Sequence, residues 1–126
     1  MKLRHFTFIL GIAVAFLVAP RHASAEDHLA QAISQTKEAI EHGKQGDAKA
    51  LVTHAKVALK HATAAFAGAV GSFSATEADA RAHENEHTRE GITHLKAAIG
   101  EGKKNHAEAA TRQAEEALTH LEESPK

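Results

Sequence analysis

Apolar residues between positions 26 and 126 recur at spacings of four, three and four, which is typical of helices that bury one face. Strong helix formers such as Ala, Leu, Glu, Lys and Gln are common there, and no run alternates as a strand would. Gly residues interrupt the pattern, and Asp47 and Asn105 are good N-caps, so the sequence predicts four helices, over about 27–42, 47–66, 76 to 100 or 102, and from after Asn105 to about 123. The expected fold class is all-α.

The two halves of this region resemble each other at an offset of 59 residues, so that Ala39-Ile40 recurs as Ala98-Ile99. The repeated halves span about 27–67 and 76–123, and each reads as a helical hairpin. A single repeat of this kind cannot bury its apolar face alone. We therefore expect residues 26–126 to form one antiparallel four-helix bundle, built from two hairpins.

Residues 1–25 have the three regions of a secretory signal peptide. A basic start is followed by the apolar run 6–18, and Ala23-Ser24-Ala25 forms a small-residue cleavage pattern before Glu26. The apolar run is shorter than the ~20 residues that span a bilayer comfortably. The sequence predicts cleavage after Ala25, export to a bacterial periplasm and no stable membrane insertion afterwards.

Composition removes several classes of function. The chain has no Cys, which excludes disulfides, thiol nucleophiles and Cys-ligated metals, and its 15 basic residues against 16 acidic ones give no basic patch for nucleic acid. The unusual count is 11 His, nine of which follow the predicted cleavage point. We expect a monomer that binds ions rather than an enzyme, since no catalytic constellation or phosphate loop stands out.

Heptad lettering (abcdefg) places a core stripe at a and d: Leu29, Ile33, Thr36, Ile40, Ala48, Val52, Ala55, Leu59, Ala62, Phe66, Ile92, Leu95, Ile99, Ala107, Thr111, Ala114, Leu118 and Leu121. The g positions beside it are nearly all small, which lets antiparallel helices approach closely: Ala32, Ala39, Ala58, Ala65, Gly91, Ala98, Ala110 and Ala117. All twelve c positions, at the edge of the buried face, carry possible metal donors, and eight of them are His.

Folding each hairpin at its turn pairs these c positions into rungs. The predicted pairs are His42 with Asp47, Gln35 with His54, His28 with His61, Glu101 with His106, His94 with Gln113, and His87 with His120. Two of the rungs are His–His pairs. Opposite side chains across a narrow seam would then reach the same ion.

Imidazole and carboxylate donors suit Cu(II), Ni(II), Zn(II) and Co(II), and Cu(II) is expected to bind tightest. On one helix, His83 and His87 are four residues apart and can chelate one ion, with Glu90 nearby and His94 four residues beyond Glu90. The complete set of predicted metal ligands is His28, His42, Asp47, His54, His61, His83, His87, Glu90, His94, His106 and His120.

Residues 38–62 (EAIEHGKQGDAKALVTHAKVALKHA) and 91–124 carry His-Ala heptads and His-Gly turns. In these the chain resembles the small metal-binding protein family, exported His-rich helical proteins of the bacterial periplasm. The resemblance implies a four-helix bundle that binds several divalent metals, copper among them, with a role in metal buffering or transport. Gln35, Asp47, Glu101 and Gln113 depart from the densest His pattern, so we expect a lower capacity here.

Three interpretations follow from the residues. The first is a periplasmic metal buffer, scavenger or carrier. The second is a pH-responsive exported bundle or stress chaperone, whose nine His gain charge on acidification. A haem bundle is the third, and it is disfavoured because no Met follows the signal segment and the His lie at the edge of the core.

Overall fold

A computed structural model describes residues 23–70 and 85–125. Within these ranges the chain forms four helices: α1 (Ala25–Lys44), α2 (Ala48–Val70), α3 (Glu86–Lys103) and α4 (Ala107–Glu123). The described residues contain no strand. The all-α prediction is confirmed, while the predicted signal segment up to residue 22 and the predicted helical residues 76–84 lie outside the described ranges.

The helices pack as a four-helix bundle of two hairpins. Helix α1 lies along α2 and α3 lies along α4, and the hairpins meet through the pairs α2–α3 and α1–α4. Exposed ion pairs cross the second of these seams, Lys37 with Glu122 at 2.8 Å and Lys44 with Glu115 at 3.4 Å. Such pairs contribute at most about 1 kcal/mol each, so apolar burial holds the hairpins together.

The repeat in the sequence is also a repeat in the backbone of the two hairpin turns. Gly46 has φ 79° and Asn105, its equivalent 59 positions later, has φ 64°. Their backbone N–H groups donate to the carbonyls of Gly43 and Gly102, at 2.9 and 3.0 Å. Gly and Asn are the residues that best tolerate this left-handed conformation.

Three helix boundaries differ from the prediction because a glycine there lies within the helix and does not end it. Helices α1 and α3 pass through Gly43 and Gly102 and end at Lys44 and Lys103. A side chain on Gly43 would collide with Thr111 of the other hairpin. Helix α2 likewise continues through Gly68 to Val70, since one glycine costs a helix only ~1 kcal/mol.

The predicted N-caps of α2 and α4 have different outcomes. The carboxylate of Asp47 accepts a hydrogen bond from the backbone N–H of Ala50 at 2.9 Å, which confirms it as a cap. The prediction for Asn105 is wrong, because this residue occupies the left-handed turn position and His106 stands at the N-cap without a side-chain cap bond.

The centre of the bundle lies nearer the g positions than the heptad prediction placed it. The alanines at g are buried almost completely, whereas the predicted core residues Ile33, Leu59, Ile92 and Leu118 are only half-buried. Leu51, also at g, is fully buried and was missed. Because alanines let the helices approach closely, the g side chains fill the interior and the larger side chains are displaced towards its margin.

No helix in the described ranges is both long enough and apolar enough to cross a bilayer.

Substitutions at two glycines of α3 test how closely the helices of the second hairpin pack. A Cβ on Gly91 would lie 2.8 Å from the buried side chain of Leu121, whereas a Cβ on Gly100 would meet nothing within 4 Å. We expect Gly91→Ala to lower the free energy of unfolding, since overpacking costs about 1–3 kcal/mol. Gly100→Ala should raise it by up to ~1 kcal/mol through helix propensity. Thermal and urea unfolding of the two variants measures both changes. Equal changes in the free energy of unfolding would contradict the close packing at Gly91.

Candidate metal centre

The twelve c positions form one row of side chains along each hairpin. We call them the first row (His28, Gln35, His42, Asp47, His54, His61) and the second row (His87, His94, Glu101, His106, Gln113, His120). Ten of the twelve side chains are half-buried, and only Asp47 and His106, both at turns, are exposed. The rows therefore lie at the margin of the core, as the heptad pattern predicted, where rings are fixed by packing but reach solvent.

In the first row, two of the three predicted rungs are formed. The Nδ1 atoms of His28 and His61 lie 3.2 Å apart, and Nδ1 of His54 lies 3.0 Å from Oε1 of Gln35. The two rings of the His28–His61 pair are tilted, with centroids 5.4 Å apart. These contacts join α1 to α2 at two levels of the hairpin.

The third rung of the first row is arranged differently from the prediction. The backbone N–H of Asp47 donates to the carbonyl of His42 at 2.9 Å, while the Asp47 carboxylate faces the start of α2 as its cap. The His42 ring instead stacks on His54, with centroids 5.0 Å apart. A helix cap and a ring stack thus take the place of the predicted His42–Asp47 rung.

All three predicted rungs of the second row bring their residues together. Nδ1 of His94 lies 2.9 Å from Oε1 of Gln113, and Nδ1 of His106 lies 2.9 Å from Oε2 of Glu101. The rings of His87 and His120 have centroids 6.0 Å apart, and the His120 ring also stacks on His94 at 5.3 Å.

The non-histidine residues of these rungs orient the histidines. An amide or carboxylate oxygen only accepts hydrogen bonds, and these contacts favour the tautomer with the proton on Nδ1 of His54, His94 and His106. The lone pair of each neutral ring is then at Nε2. This is the arrangement by which protein metal sites hold a histidine ligand in place through its other nitrogen.

One group in the described residues brings three potential donors together. Donor atoms of His87 and Glu90 on α3 and of His120 on α4 all lie within 4.8 Å of one another, and all three residues are half-buried. We call this group the His–Glu–His centre. His87 and Glu90 are one helical turn apart, and His120 faces them because α4 runs back along α3.

Hydrogen bonds at the end of the hairpin position the centre. The buried hydroxyl of Thr88 donates to the Ser124 hydroxyl at 2.9 Å, and Ser124 donates to the carbonyl of His120 at 3.1 Å. These bonds tie the first turn of α3 to the last turn of α4. Neighbouring side chains on these turns, His87 and His120, are thereby held opposite each other.

The lack of hydrogen bonds at two buried nitrogen atoms makes the centre suitable for a metal ion. Nδ1 of His87 and Nδ1 of His120 are buried and make no hydrogen bond. Oε2 of Glu90 lies 4.0 Å from the first nitrogen and 2.9 Å from the second, where it is close but out of line for a hydrogen bond. Ligands of one ion with ~2.1 Å bonds lie at most ~4.2 Å apart, so both separations suit a shared ion. Buried nitrogens that make no hydrogen bond are costly for a fold, and an ion would satisfy them.

A carboxylate that sequence reasoning missed extends the centre. Oε2 of Glu123 lies 3.3 Å from Nδ1 of His87. Glu123 is three residues after His120, so helical spacing was the signal that could have identified it. The prediction had also placed Glu90 only with His87 and His94 on its own helix, whereas its closest imidazole nitrogen belongs to His120 across the hairpin.

Two pKa shifts follow from the rungs. Hydrogen bonds from Lys104 and His106 lower the pKa of the Glu101 carboxyl below its ordinary value. Burial, and next the nearby charges of His28 and Lys60, lower the pKa of His61. The His61 ring is therefore held in the neutral form, which is the form that binds metals.

The predicted ligands thus fall into distinct settings. His87, Glu90 and His120 form the three-donor centre, His94 adjoins it, and His28 with His61 forms a pair. His42 stacks on His54. His106 is exposed and contacts Glu101, and Asp47 caps α2. His83, and with it the predicted His83–His87 chelate, lies outside the described residues.

Comparison with known proteins points in the same direction as the geometry. A family model described as "Small metal-binding protein" matches residues 3–124, nearly the whole chain. No curated protein matches the sequence.

The lowered pKa of His61 predicts that the metal-free fold is less stable in acid. The unfolded chain binds a proton at His61 more readily than the folded chain does, so stability should fall as the pH drops from above ~6.5 through the lower folded value. We expect His61→Gln to flatten this part of the stability profile between pH 7.5 and 5.5, measured by urea unfolding. His106→Gln, which removes an exposed imidazole, should keep the loss. An unchanged slope in His61→Gln would contradict the assignment.

Proposed function

The chain belongs to the small metal-binding protein family, and from that membership and the geometry above we propose that it is a periplasmic binding protein for divalent transition metals. It acts as a buffer, scavenger or carrier of these ions. The single observation that carries the proposal is the His–Glu–His centre, whose three donors come from two helices and whose buried imidazole nitrogens lack hydrogen bonds.

The donor chemistry selects the class of ion. His87 and His120 offer neutral imidazole nitrogen and Glu90 offers carboxylate oxygen, while the chain has no Cys to attract Cu(I). This set suits Cu(II), Ni(II), Zn(II) and Co(II). By the usual order of affinities among these ions, Cu(II) binds tightest.

The placement of the donors suits a reversible binder. Both rows lie at the half-buried margin of the bundle, so ions enter and leave without opening the core. Protonation of the imidazoles below about pH 6 competes with metal binding and promotes release. An ion held by the folded chain alone also stabilises the fold by mass action.

We propose binding rather than catalysis for this bundle. The donors lie in shallow rows between helices and not within an apolar pocket that would enclose a substrate. A groove of about 650 Å³ between α1 and α4 is bordered by Leu29, Ile33, Lys37 and Glu122, and its described lining includes no histidine. The groove is therefore separate from the donor rows.

Export places the protein where it would meet metals from the environment. The basic start, apolar run and Ala-Ser-Ala pattern support cleavage after Ala25. In the uncleaved chain the Ser24 side chain caps α1 and Asp27 completes a capping box. Cleavage after Ala25 removes Ser24, so the exported form begins with an α1 that lacks this cap.

Calorimetric titration of the purified protein with Cu(II), Ni(II) and Zn(II) at pH 7.5 tests the binding proposal. We expect at least one ion per chain, and His120→Gln should weaken the tightest site by about tenfold or more, because one of three ligands is lost. His106→Gln also removes one imidazole, but from an exposed turn, and should leave that site unchanged. If the folded protein bound fewer than about one ion per chain, the result would favour the pH-responsive bundle instead.

Expression in a Gram-negative host tests export. Mass spectrometry of the periplasmic fraction should find a chain that begins at Glu26. A version that begins at Ala23 and keeps the Ser24 cap should be more stable than the processed chain by about 1 kcal/mol in urea unfolding, the usual worth of an N-cap. A full-length chain confined to the cytoplasm would contradict the proposed location.

A further inference from the structure

The sequence repeat relates the His–Glu–His centre to a matching position in the first hairpin. Subtracting 59 from each residue number leads from the three donors of the centre to His28, Gln31 and His61. Both histidines recur, and the carboxylate is replaced by an amide. In both hairpins the two histidine rings face each other across the helix pair, with centroids 5.4 Å apart for His28 and His61 and 6.0 Å apart for His87 and His120.

The two histidines of the first hairpin are already spaced as ligands of one ion. Their Nδ1 atoms lie 3.2 Å apart, and both rings are half-buried. Two nitrogens bound to one ion at ~2.05 Å in tetrahedral geometry are ~3.3 Å apart. Binding through both Nδ1 atoms requires the single Nδ1 proton of this hydrogen bond to move to Nε2 of the same ring. That change of tautomer leaves both rings neutral and needs no large movement.

Two differences make this pair the weaker binder. Gln31 offers a neutral amide oxygen where Glu90 offers a charged carboxylate, and the negative charge attracts a divalent cation more strongly. The nitrogens of the first hairpin also satisfy each other, whereas those of the His–Glu–His centre have no hydrogen bond to give up. An ion therefore replaces an existing interaction in one hairpin and supplies a missing one in the other.

We infer that the residue at position 31 or 90, amide or carboxylate, sets the order in which the His28–His61 pair and the His–Glu–His centre bind divalent ions. The inference rests on the proposed function, because it requires that the His–Glu–His centre binds metal. Two sites of unequal affinity keep occupancy graded over a wider range of free ion concentration than two equal sites do. This property suits a buffer.

The test exchanges the two residues between hairpins. We would titrate Cu(II) into the purified protein and follow the imidazole signals by two-dimensional ¹H–¹⁵N NMR, because the paramagnetic ion broadens the rings nearest to it. The variants are Gln31→Glu, Glu90→Gln and the double exchange. Gln45→Glu, at the exposed far end of α1, controls for the added charge, and Glu116→Gln, exposed on α4, controls for its removal. Zn(II) calorimetry gives the affinities independently.

In the unaltered protein, the rings of His87 and His120 should broaden at lower Cu(II) than those of His28 and His61. Gln31→Glu should tighten the first-hairpin site by about tenfold or more, Glu90→Gln should weaken the other by a similar factor, and the double exchange should reverse the order. The two controls should keep the original order.

The outcomes separate this inference from the proposed function. If His87 and His120 bind Cu(II) but His28 and His61 remain sharp after several equivalents, the inference fails and the proposed function stands. Loading that keeps its order in all three exchange variants also overturns the role of positions 31 and 90. If no ring responds to Cu(II) or Zn(II), the proposed function itself fails.

Discussion

The close approach of the two helices in each hairpin is the constraint on which the rest of the structure depends. Alanines such as Ala32, Ala58 and Ala117 are buried completely at the seams, and Gly91 lies directly beneath Leu121. At this separation, side chains at opposite c positions meet, as in the 3.2 Å contact of His28 with His61. Larger seam residues would part the helices and leave each ring alone on its own surface.

The His–Glu–His centre costs the fold some stability at one end of the second hairpin. Two imidazole nitrogens are buried without hydrogen bonds, at the end of the hairpin where α3 begins and α4 ends. A short chain of hydroxyls from Thr88 through Ser124 holds these ends together in the absence of an ion. If an ion binds there as proposed, its binding and the ordering of the hairpin end reinforce each other, because the three side chains come from both helices.

The row positions that carry Gln or Glu in place of His have a different physical role. Gln35 lies on the first helix of its hairpin and Gln113 on the second helix of the other hairpin. Each holds the histidine across from it through Nδ1. Glu101 does the same for His106, and its own pKa is lowered by that hydrogen bond and by Lys104. The rows therefore combine the proposed metal ligands with residues that hold histidines in place through hydrogen bonds.

Helical periodicity and the repeat were sufficient to determine four helices, two hairpins and most of the rungs, because these depend on local spacing and on one turn position. Spacing along the chain could not determine which donors share an ion. Glu90 approaches His120 and Glu123 approaches His87 only because α4 packs back against α3. Gly43 and Gly102 likewise resemble helix ends in sequence, yet they are sites of close contact between hairpins. Sequence alone determined the periodic elements, and tertiary packing decided the contacts between them, since these depend on the distance and rotation of neighbouring helices.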